Sequence, residues 1–177
     1  MRRQLGLQTL VVLALVASVA CGYSLAGRGS FLPPHIKTIG VPTFTNLTSI
    51  PDIERRVSDR VRSELIGRGK YKVETTATGV DAVIAGEITS IGIVPTAWNS
   101  QGLATRYQLL LTAKIEFRDT TDNRIIWSNP SMQFREDYET SATISDPNAF
   151  FGQDVNALER VATEFARSLV SAILEAF

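Results

Sequence analysis

The segment from Thr105 to Arg118 alternates apolar and polar side chains with the two-residue period of a β-strand. One face is apolar: Tyr107, Leu109, Leu111, Ala113, Ile115 and Phe117. The other face is polar, with Leu110 as its exception: Arg106, Gln108, Thr112, Lys114, Glu116 and Arg118. Such alternation indicates a strand in a sheet that is covered on one face and wet on the other. Another part of the chain must therefore supply the covering layer.

Two amphipathic helices are predicted, and each needs an apolar surface to pack against. Pro51 suits the first turn of a helix, and Gly67 and Gly69 are natural stops. The charged segment between Pro51 and Gly67 carries one apolar stripe, made of Ile53, Val57, Val61 and Leu65. A longer stripe predicts a closing helix from Asp154 to Glu175. The polar stretch Thr140–Asn148 before it is expected to be a loop.

The remaining β-rich runs predict the rest of the sheet. They are Ile36–Phe44 (an edge strand, or one ending near Pro42), Tyr71–Thr75, Asp81–Val94 with a bulge near Ser90 or Gly92, and Arg124–Tyr138 with a bulge or edge feature at Asn129-Pro130. Pro95–Gly102 is expected to be a polar connection, and Asp122-Asn123 a turn with positive φ. The predicted fold is α+β: two helices packed on one face of a mostly antiparallel four-stranded sheet, in a single domain over residues 36–177.

The N-terminus resembles a bacterial lipoprotein signal. Arg2 and Arg3 precede an apolar run from Leu5 to Ala20, and the one cysteine of the chain, Cys21, follows directly. Residues 1–20 are predicted to be removed and Cys21 to carry acyl chains such as palmitate, with no other cofactor. Ser18 stands where the lipoprotein pattern usually has leucine, so an ordinary cleaved signal with a free thiol remains an alternative. A retained transmembrane anchor is a further alternative, but the run is shorter than a bilayer span.

The chain after the signal has the charge and composition of one anchored domain. Removing residues 1–20 takes away two of 18 basic residues and no acidic one, which leaves 16 against 18 and a net charge of −2. This balance argues against nucleic acid as a partner. Residues 21–35 contain several glycines and prolines and are predicted to form a lipidated tether. Gly22, in place of an aspartate that would retain the protein at the inner membrane, favours the outer membrane.

No set of residues predicts catalysis or a metal site. His35, the one histidine, is interpreted as a solvated residue of the tether, and Cys21 is assigned to lipid, so a Cys–His nucleophile pair is disfavoured. Glu136 and Asp137 are neighbours on a strand and point to opposite faces. Asp52 and Glu54 suit the helix dipole. A hydrolase using scattered carboxylates is the enzymatic alternative.

Two groups of side chains are candidates for binding. Tyr107, Trp127 and Phe134 can line a ligand groove, but core and cross-strand packing is the favoured interpretation. Arg106, Lys114 and Arg118 share one strand face and are candidate contacts for anionic lipid phosphates. The alternative for these three is a solvated face of mixed charge, since Glu116 lies among them.

Several segments in order resemble the LPS-assembly lipoprotein family. They are Cys21-Gly22-Tyr23-Ser24-Leu25, Leu32-Pro33-Pro34, Ile39–Asn46, the helix after Pro51, Asp81–Gly86, Arg106–Leu109 and Arg160-Val161-Ala162. The resemblance spans nearly all of the chain after the signal. It implies two helices on a four-stranded sheet, which agrees with the fold predicted above.

The resemblance also implies a function. Members of this family are periplasm-facing outer-membrane lipoproteins that plug the large β-barrel translocon for lipopolysaccharide, help this barrel to fold, and bind lipopolysaccharide. No lipopolysaccharide site is carried over, because the segment Thr96–Gly102 has no lysine or arginine. The alternative function is a lipoprotein that carries or chaperones a lipid without a barrel partner.

Overall fold

The computed structural model describes residues 32–139, 150–151 and 155–176. Its elements in chain order are β1 (Thr38–Gly40), β2 (Thr45–Asn46), α1 (Ile53–Gly67), β3 (Lys72–Glu74), β4 (Ala82–Trp98), β5 (Ala104–Asp119), β6 (Ile125–Glu139) and α2 (Val155–Glu175). The predicted signal, Cys21, most of the tether and the loop Thr140–Asn148 lie outside the described residues. Among the described helices, none is both long enough and apolar enough to span a bilayer.

The sheet is mixed and larger than predicted. Its order is β3-β1-β4-β5-β6, with β2 also paired to β4. β1 pairs in parallel with β3 and β4, and β2 pairs in parallel with β4. The predicted four-stranded, mostly antiparallel sheet is therefore wrong in strand number and in direction. The physical reason is α1, because a helix between β1 and β3 supplies the crossover that parallel neighbours require.

The predicted strand Ile36–Phe44 is paired only over β1 and ends before Pro42, and β2 begins directly after Phe44. Phe44 at the end of this segment is held by α1. Its N–H donates to Oγ of Ser58 at 2.9 Å, and that hydroxyl donates to the carbonyl of Glu54 at 2.6 Å. Pro42 has no N–H to pair with a strand, and the N–H of Phe44 that follows is satisfied by a helix side chain instead of a neighbouring strand.

The antiparallel half follows the sequence closely. The pairing of β4 with β5 shifts register between Ile88 and Ser90, which confirms the predicted bulge. The pairing of β5 with β6 shifts between Ala113 and Ile115, opposite the Asn129-Pro130 region. Asn123 has a φ of 56°, as its turn position predicts.

The predicted connection Pro95–Gly102 is wrong in its first half, because β4 continues to Trp98. The turn that follows is closed by one side chain. Oδ1 of Asn99 accepts hydrogen bonds from the N–H groups of Gln101 and Leu103 at 2.9 and 3.0 Å. An asparagine that bonds the backbone in this way permits a tighter turn than the polar composition suggests.

Both helices cover the same face of the sheet, as predicted. The side chains of β5 that point toward them are buried, from Tyr107 at 2% exposed to Phe117 at 0%. Trp127 and Phe134 pack against this core across from Phe117 and Leu111, which supports the packing interpretation of the aromatic residues. Leu32, assigned to the tether by sequence, is 3% exposed and belongs to the core.

Candidate functional site

The face of β5 and β6 opposite the helices is polar, and we call it the open face. It carries Arg106, whose guanidinium contacts the carboxylate of Glu139 on β6 at 2.6 Å. The hydrogen bond from Arg106 to Glu139 raises the pKa of the guanidinium. Two residues along the strand, the side-chain N–H of Gln108 donates to Asp137 at 3.3 Å. Opposite charges are thus paired across neighbouring strands of a wet surface.

The other two predicted cations lie farther along β5 and share a carboxylate. Arg118 contacts Glu116 at 2.9 Å, and Lys114 approaches the other oxygen of Glu116 at 3.9 Å. Arg118 also donates to the carbonyl and side chain of Asn123. Eight residues separate Arg106 from Lys114, a span of about 26 Å along a strand. The structure therefore places all three cations on one face without bringing them into one site, and anionic-lipid contact stays a prediction.

His35 lies against the end of the sheet and is hydrogen-bonded there. Its Nε2–H donates to Oδ2 of Asp119 at 2.6 Å, and Asp119 is 1% exposed. Asp81 lies beside this pair and accepts the backbone N–H groups of Lys37 and Thr38 at 2.9 and 2.8 Å. These two hydrogen bonds lower the pKa of Asp81, and a hydrogen bond from the N–H of Thr121 lowers that of Asp119.

This arrangement corrects the interpretation of His35 as a solvated residue. The ring is half exposed, but it lines a cavity of about 220 Å³ together with Asp81, Asp119, Thr121 and Asp122. Sequence reasoning missed the contact because 84 residues separate His35 from Asp119. The chemistry it offers is electrostatic: one imidazole among carboxylates ties the beginning of the domain to the end of β5.

A second polar cluster joins the two helices and was also missed. Glu159 of α2 is contacted by the guanidinium groups of Arg56, at 3.3 Å, and Arg60, both on α1. The cleft beside them has a volume of about 250 Å³. Nε of Arg56 is buried without a hydrogen-bond partner among the described residues. One carboxylate is therefore shared by two guanidinium groups from the facing helix.

The remaining carboxylates do not converge. Glu136 faces the helices and contacts Arg160 of α2 at 3.3 Å, whereas Asp137 faces the open side beside Gln108. This confirms that the two neighbours point to opposite faces. Asp52 contacts Arg55, and Glu54 accepts a hydrogen bond from Asn46, so both have specific partners beyond the helix dipole. Within residues 32–139 and 155–176, no group of three or more histidine, cysteine or acidic side chains is arranged to hold a metal ion.

Solved structures are similar to this chain at low sequence identity. A PelC chain, from a dodecamer of Paraburkholderia phytofirmans, superposes with a TM-score of 0.51 at 15% identity, over 77% of this chain and 87% of that one. An uncharacterized lipoprotein B of Nitrosomonas europaea superposes with a TM-score of 0.48 at 15% identity, over 88% and 96%. No curated protein sequence matches the chain.

The family comparison is more specific than these superpositions. The model of the family described as lipopolysaccharide-assembly, LptE, matches residues 36–173, from before β1 almost to the end of α2. That range includes all six strands, α1 and all but the last two residues of α2, and it agrees with the family resemblance predicted from the sequence. The chain belongs to the lipopolysaccharide-assembly family LptE.

Proposed function

We propose that this chain is an outer-membrane lipoprotein that faces the periplasm and acts as the non-enzymatic assembly partner of the β-barrel translocon for lipopolysaccharide. In this role it is anchored through acyl chains on Cys21, aids assembly of the barrel, and assists delivery of lipopolysaccharide to the outer leaflet. The observation that carries the proposal is the match of the lipopolysaccharide-assembly family over residues 36–173.

The open face supports a position inside or against a wet barrel. A surface that lies against the interior of such a barrel has to be polar and close to neutral in net charge, so that barrel residues of either charge can approach it. The pairs of Arg106 with Glu139 and of Arg118 with Glu116 meet this requirement, since each cation has a neighbouring carboxylate. The helix-covered face is already filled by the core, with Val61, Phe165 and Leu169 all 0% exposed.

The location of the first described residues suits an anchor. Leu32 is buried in the core and His35 is bonded to Asp119, so the domain is held firmly where the segment from Cys21 reaches it. Several acyl chains give a firm anchor, at about 0.8 kcal/mol for each buried methylene.

The proposal is tested by gentle extraction of outer membranes from cells that carry the full chain with an affinity tag. We expect a large β-barrel protein to co-purify in a fixed ratio with the tagged chain. Elution of the chain as a monomer would overturn the proposal. Elution with bound lipid but without a barrel would favour a lipid carrier instead.

A pair of charge reversals asks whether the open face is the contact surface. Lys114→Glu changes a half-exposed cation on the open face, and Arg167→Glu changes a similarly exposed cation on α2. We expect co-purification of the barrel to fall several-fold for Lys114→Glu and to stay unchanged for Arg167→Glu. Equal recovery with both variants would mean that the barrel contacts another surface.

A further inference from the structure

The second half of β4 is paired on one side only. Its first half is flanked by β1, which pairs with Ala82 and Val83, and by β2, which pairs with Glu87 and Ile88. The last hydrogen bond on that side is donated by the N–H of Leu47 to the carbonyl of Ile88 at 3.0 Å. From Thr89 to Trp98, β5 is the partner of β4 among the described residues. We call this segment the β4 edge.

The chain leaves this position beside β4 because of a local turn. Oδ1 of Asn46 accepts the N–H of Thr48 at 2.8 Å, and Nδ2 of Asn46 donates to the carbonyl of Ile50. These hydrogen bonds bend the backbone toward α1 before β2 can extend further. β2 therefore pairs with β4 over two residues only. Beyond Ile88, the position beside β4 is empty within the described part of the chain.

The β4 edge lacks the protection that exposed edges usually have. Natural edge strands carry charges that prevent another strand from pairing with them. The opposite edge of the sheet, β6, follows this rule with Arg135, Glu136, Asp137 and Glu139. From Ile88 to Thr105, by contrast, the sequence has no aspartate, glutamate, lysine or arginine. Pro95, the one proline in this stretch, has no N–H and so interrupts the row of backbone N–H donors along the β4 edge.

Exposed apolar side chains accompany the free backbone groups. Trp98 is 59% exposed, and Val94 and Leu103 are each 49% exposed. Acyl chains can cover such side chains, but they offer no hydrogen bonds to backbone N–H and C=O groups. An extended polypeptide satisfies both requirements, as in recognition by strand addition.

We propose that the β4 edge binds an extended, uncharged segment of a partner protein, which adds as a further strand in the position that β2 leaves. This proposal rests on the proposed function, because it takes the partner to be a protein of lipopolysaccharide assembly. Symmetric pairing of two copies along this edge is less suitable, since Pro95 would remove a donor from both strands. Pairing with the β6 edge of another copy would place charged residues against an uncharged strand.

The test places a photo-reactive benzoylphenylalanine at Ser90, Val94 or Thr96 of the full chain in cells, one position at a time. Ile125, which is 46% exposed at the start of β6, is the control position. After irradiation, we expect all three positions of the β4 edge to cross-link to one short segment of one protein. The cross-linked residues should advance along that segment in the same order, or in the reverse order, as Ser90, Val94 and Thr96. This stepwise order is the signature of strand pairing.

Three results would overturn the proposal: adducts with lipid only, adducts with a second copy of the chain, or adducts scattered over a partner without order. Failure of the proposed function is distinguishable from these. Co-purification of the barrel without ordered adducts would reject strand addition at the β4 edge and leave the proposed function standing. Ordered adducts with a protein unrelated to the barrel would reject the proposed function and leave strand addition standing.

A charge on the edge gives a second measurement. Thr96→Lys should reduce adduct formation from Val94 several-fold while leaving the thermal unfolding of the chain unchanged. Ser131→Lys, an exposed position on β6, is the matched control and should leave the adducts at their normal level. Undiminished adducts with Thr96→Lys would contradict strand addition.

Discussion

His35 and Asp119 join the beginning of the domain to the end of β5 through one hydrogen bond of 2.6 Å. Asp119 is 1% exposed, whereas the imidazole ring is about half exposed. A buried carboxylate needs donors, and the N–H of Thr121 supplies a second one at 2.8 Å. The end of the predicted tether is thus fixed to the sheet through a carboxylate that is almost fully buried.

Acid should weaken the fold through Asp119. The hydrogen bonds from Thr121 and His35 hold the pKa of this carboxyl below its ordinary value. Its contribution to the free energy of unfolding is therefore complete above the unfolded-state pKa, at about pH 4, and is lost as the pH falls through the lower folded-state pKa. Asp119→Asn should make the decline of stability in acid shallower, as measured by urea unfolding between about pH 7 and about pH 3.

His35→Gln provides the comparison for this prediction. It keeps an N–H donor beside Asp119 and leaves the hydrogen bond from Thr121 in place, so the acid dependence should stay close to that of the wild type. An Asp119→Asn variant that loses stability in acid as steeply as the wild type would show that other carboxylates govern the response.

Ser58 should matter more than its size suggests. Its hydroxyl links α1 to the N–H of Phe44, and its side chain is 0% exposed. Ser58→Ala leaves that buried N–H without its acceptor, which costs about 1–3 kcal/mol of unfolding free energy. Ser63→Ala, at an exposed position of the same helix, should change stability by less than about 0.5 kcal/mol. Equal effects in urea unfolding would contradict the assigned role of Ser58.

Gly86 is required because the ring of Phe44 packs directly on its backbone. A Cβ at this position would lie 2.4 Å from the ring atoms of Phe44. Gly86→Ala should therefore destabilise the protein by about 1–3 kcal/mol, the usual cost of overpacking. Gly92→Ala, farther along β4, meets no atom within 4 Å and is the control. Adding Phe44→Leu to Gly86→Ala should cost less than the sum of the two single changes, in a double-mutant cycle by urea unfolding.

Glu159 should stabilise the contact between the helices in a salt-dependent way. It faces both Arg56 and Arg60, so Glu159→Gln leaves two guanidinium groups together without their carboxylate. The expected loss is about 0.5–1 kcal/mol at low salt, and it should shrink at about 1 M salt. Glu164→Gln removes a pair with Arg167 within α2 and should cost about 0.3–0.5 kcal/mol. A loss for Glu159→Gln that does not respond to salt would assign its role to packing.

Cys21→Ser tests the anchor. We expect the variant to leave the membrane fraction, because the acyl chains have no attachment point without the thiol. The measurement is fractionation of cells that lack the barrel partner, followed by detection of the chain in each fraction. Retention in the membrane under these conditions would mean that the lipid assignment of Cys21 is wrong.

Local patterns predicted much of this fold, and long-range pairings explain what they missed. The alternation along β5 and the stripes on α1 and α2 predicted which side chains are buried, because each pattern depends on its own element alone. The direction of β1 and β3 was not predictable, since strands of three residues have no alternation that distinguishes parallel from antiparallel pairing.

The polar clusters were missed for a related reason. Arg56 contacts Glu159 over a separation of 103 residues, and no local sequence pattern predicts a contact between residues so far apart. Composition offered one hint for the pair of His35 and Asp119. The chain has a single histidine, and Asp119 follows directly after the strongly alternating segment Thr105–Arg118. The open-face cations were placed correctly on one face by alternation, whereas the pairing of Arg106 with Glu139 on β6 depended on the register of the sheet.

The position of β1 between β3 and β4 also determines the order in which this protein can fold. In the proposed export to the periplasm the N-terminus would emerge first, yet β1 finds its neighbours only after residues 72–83 have followed. Sheets built from such distant segments fold slowly, since the entropy of closing the intervening loops is lost before the contacts form. The uncharged residues 88–105 emerge soon afterwards and are exposed during that delay. Export of this chain should therefore depend on periplasmic chaperones that hold it unfolded until the central strands have arrived.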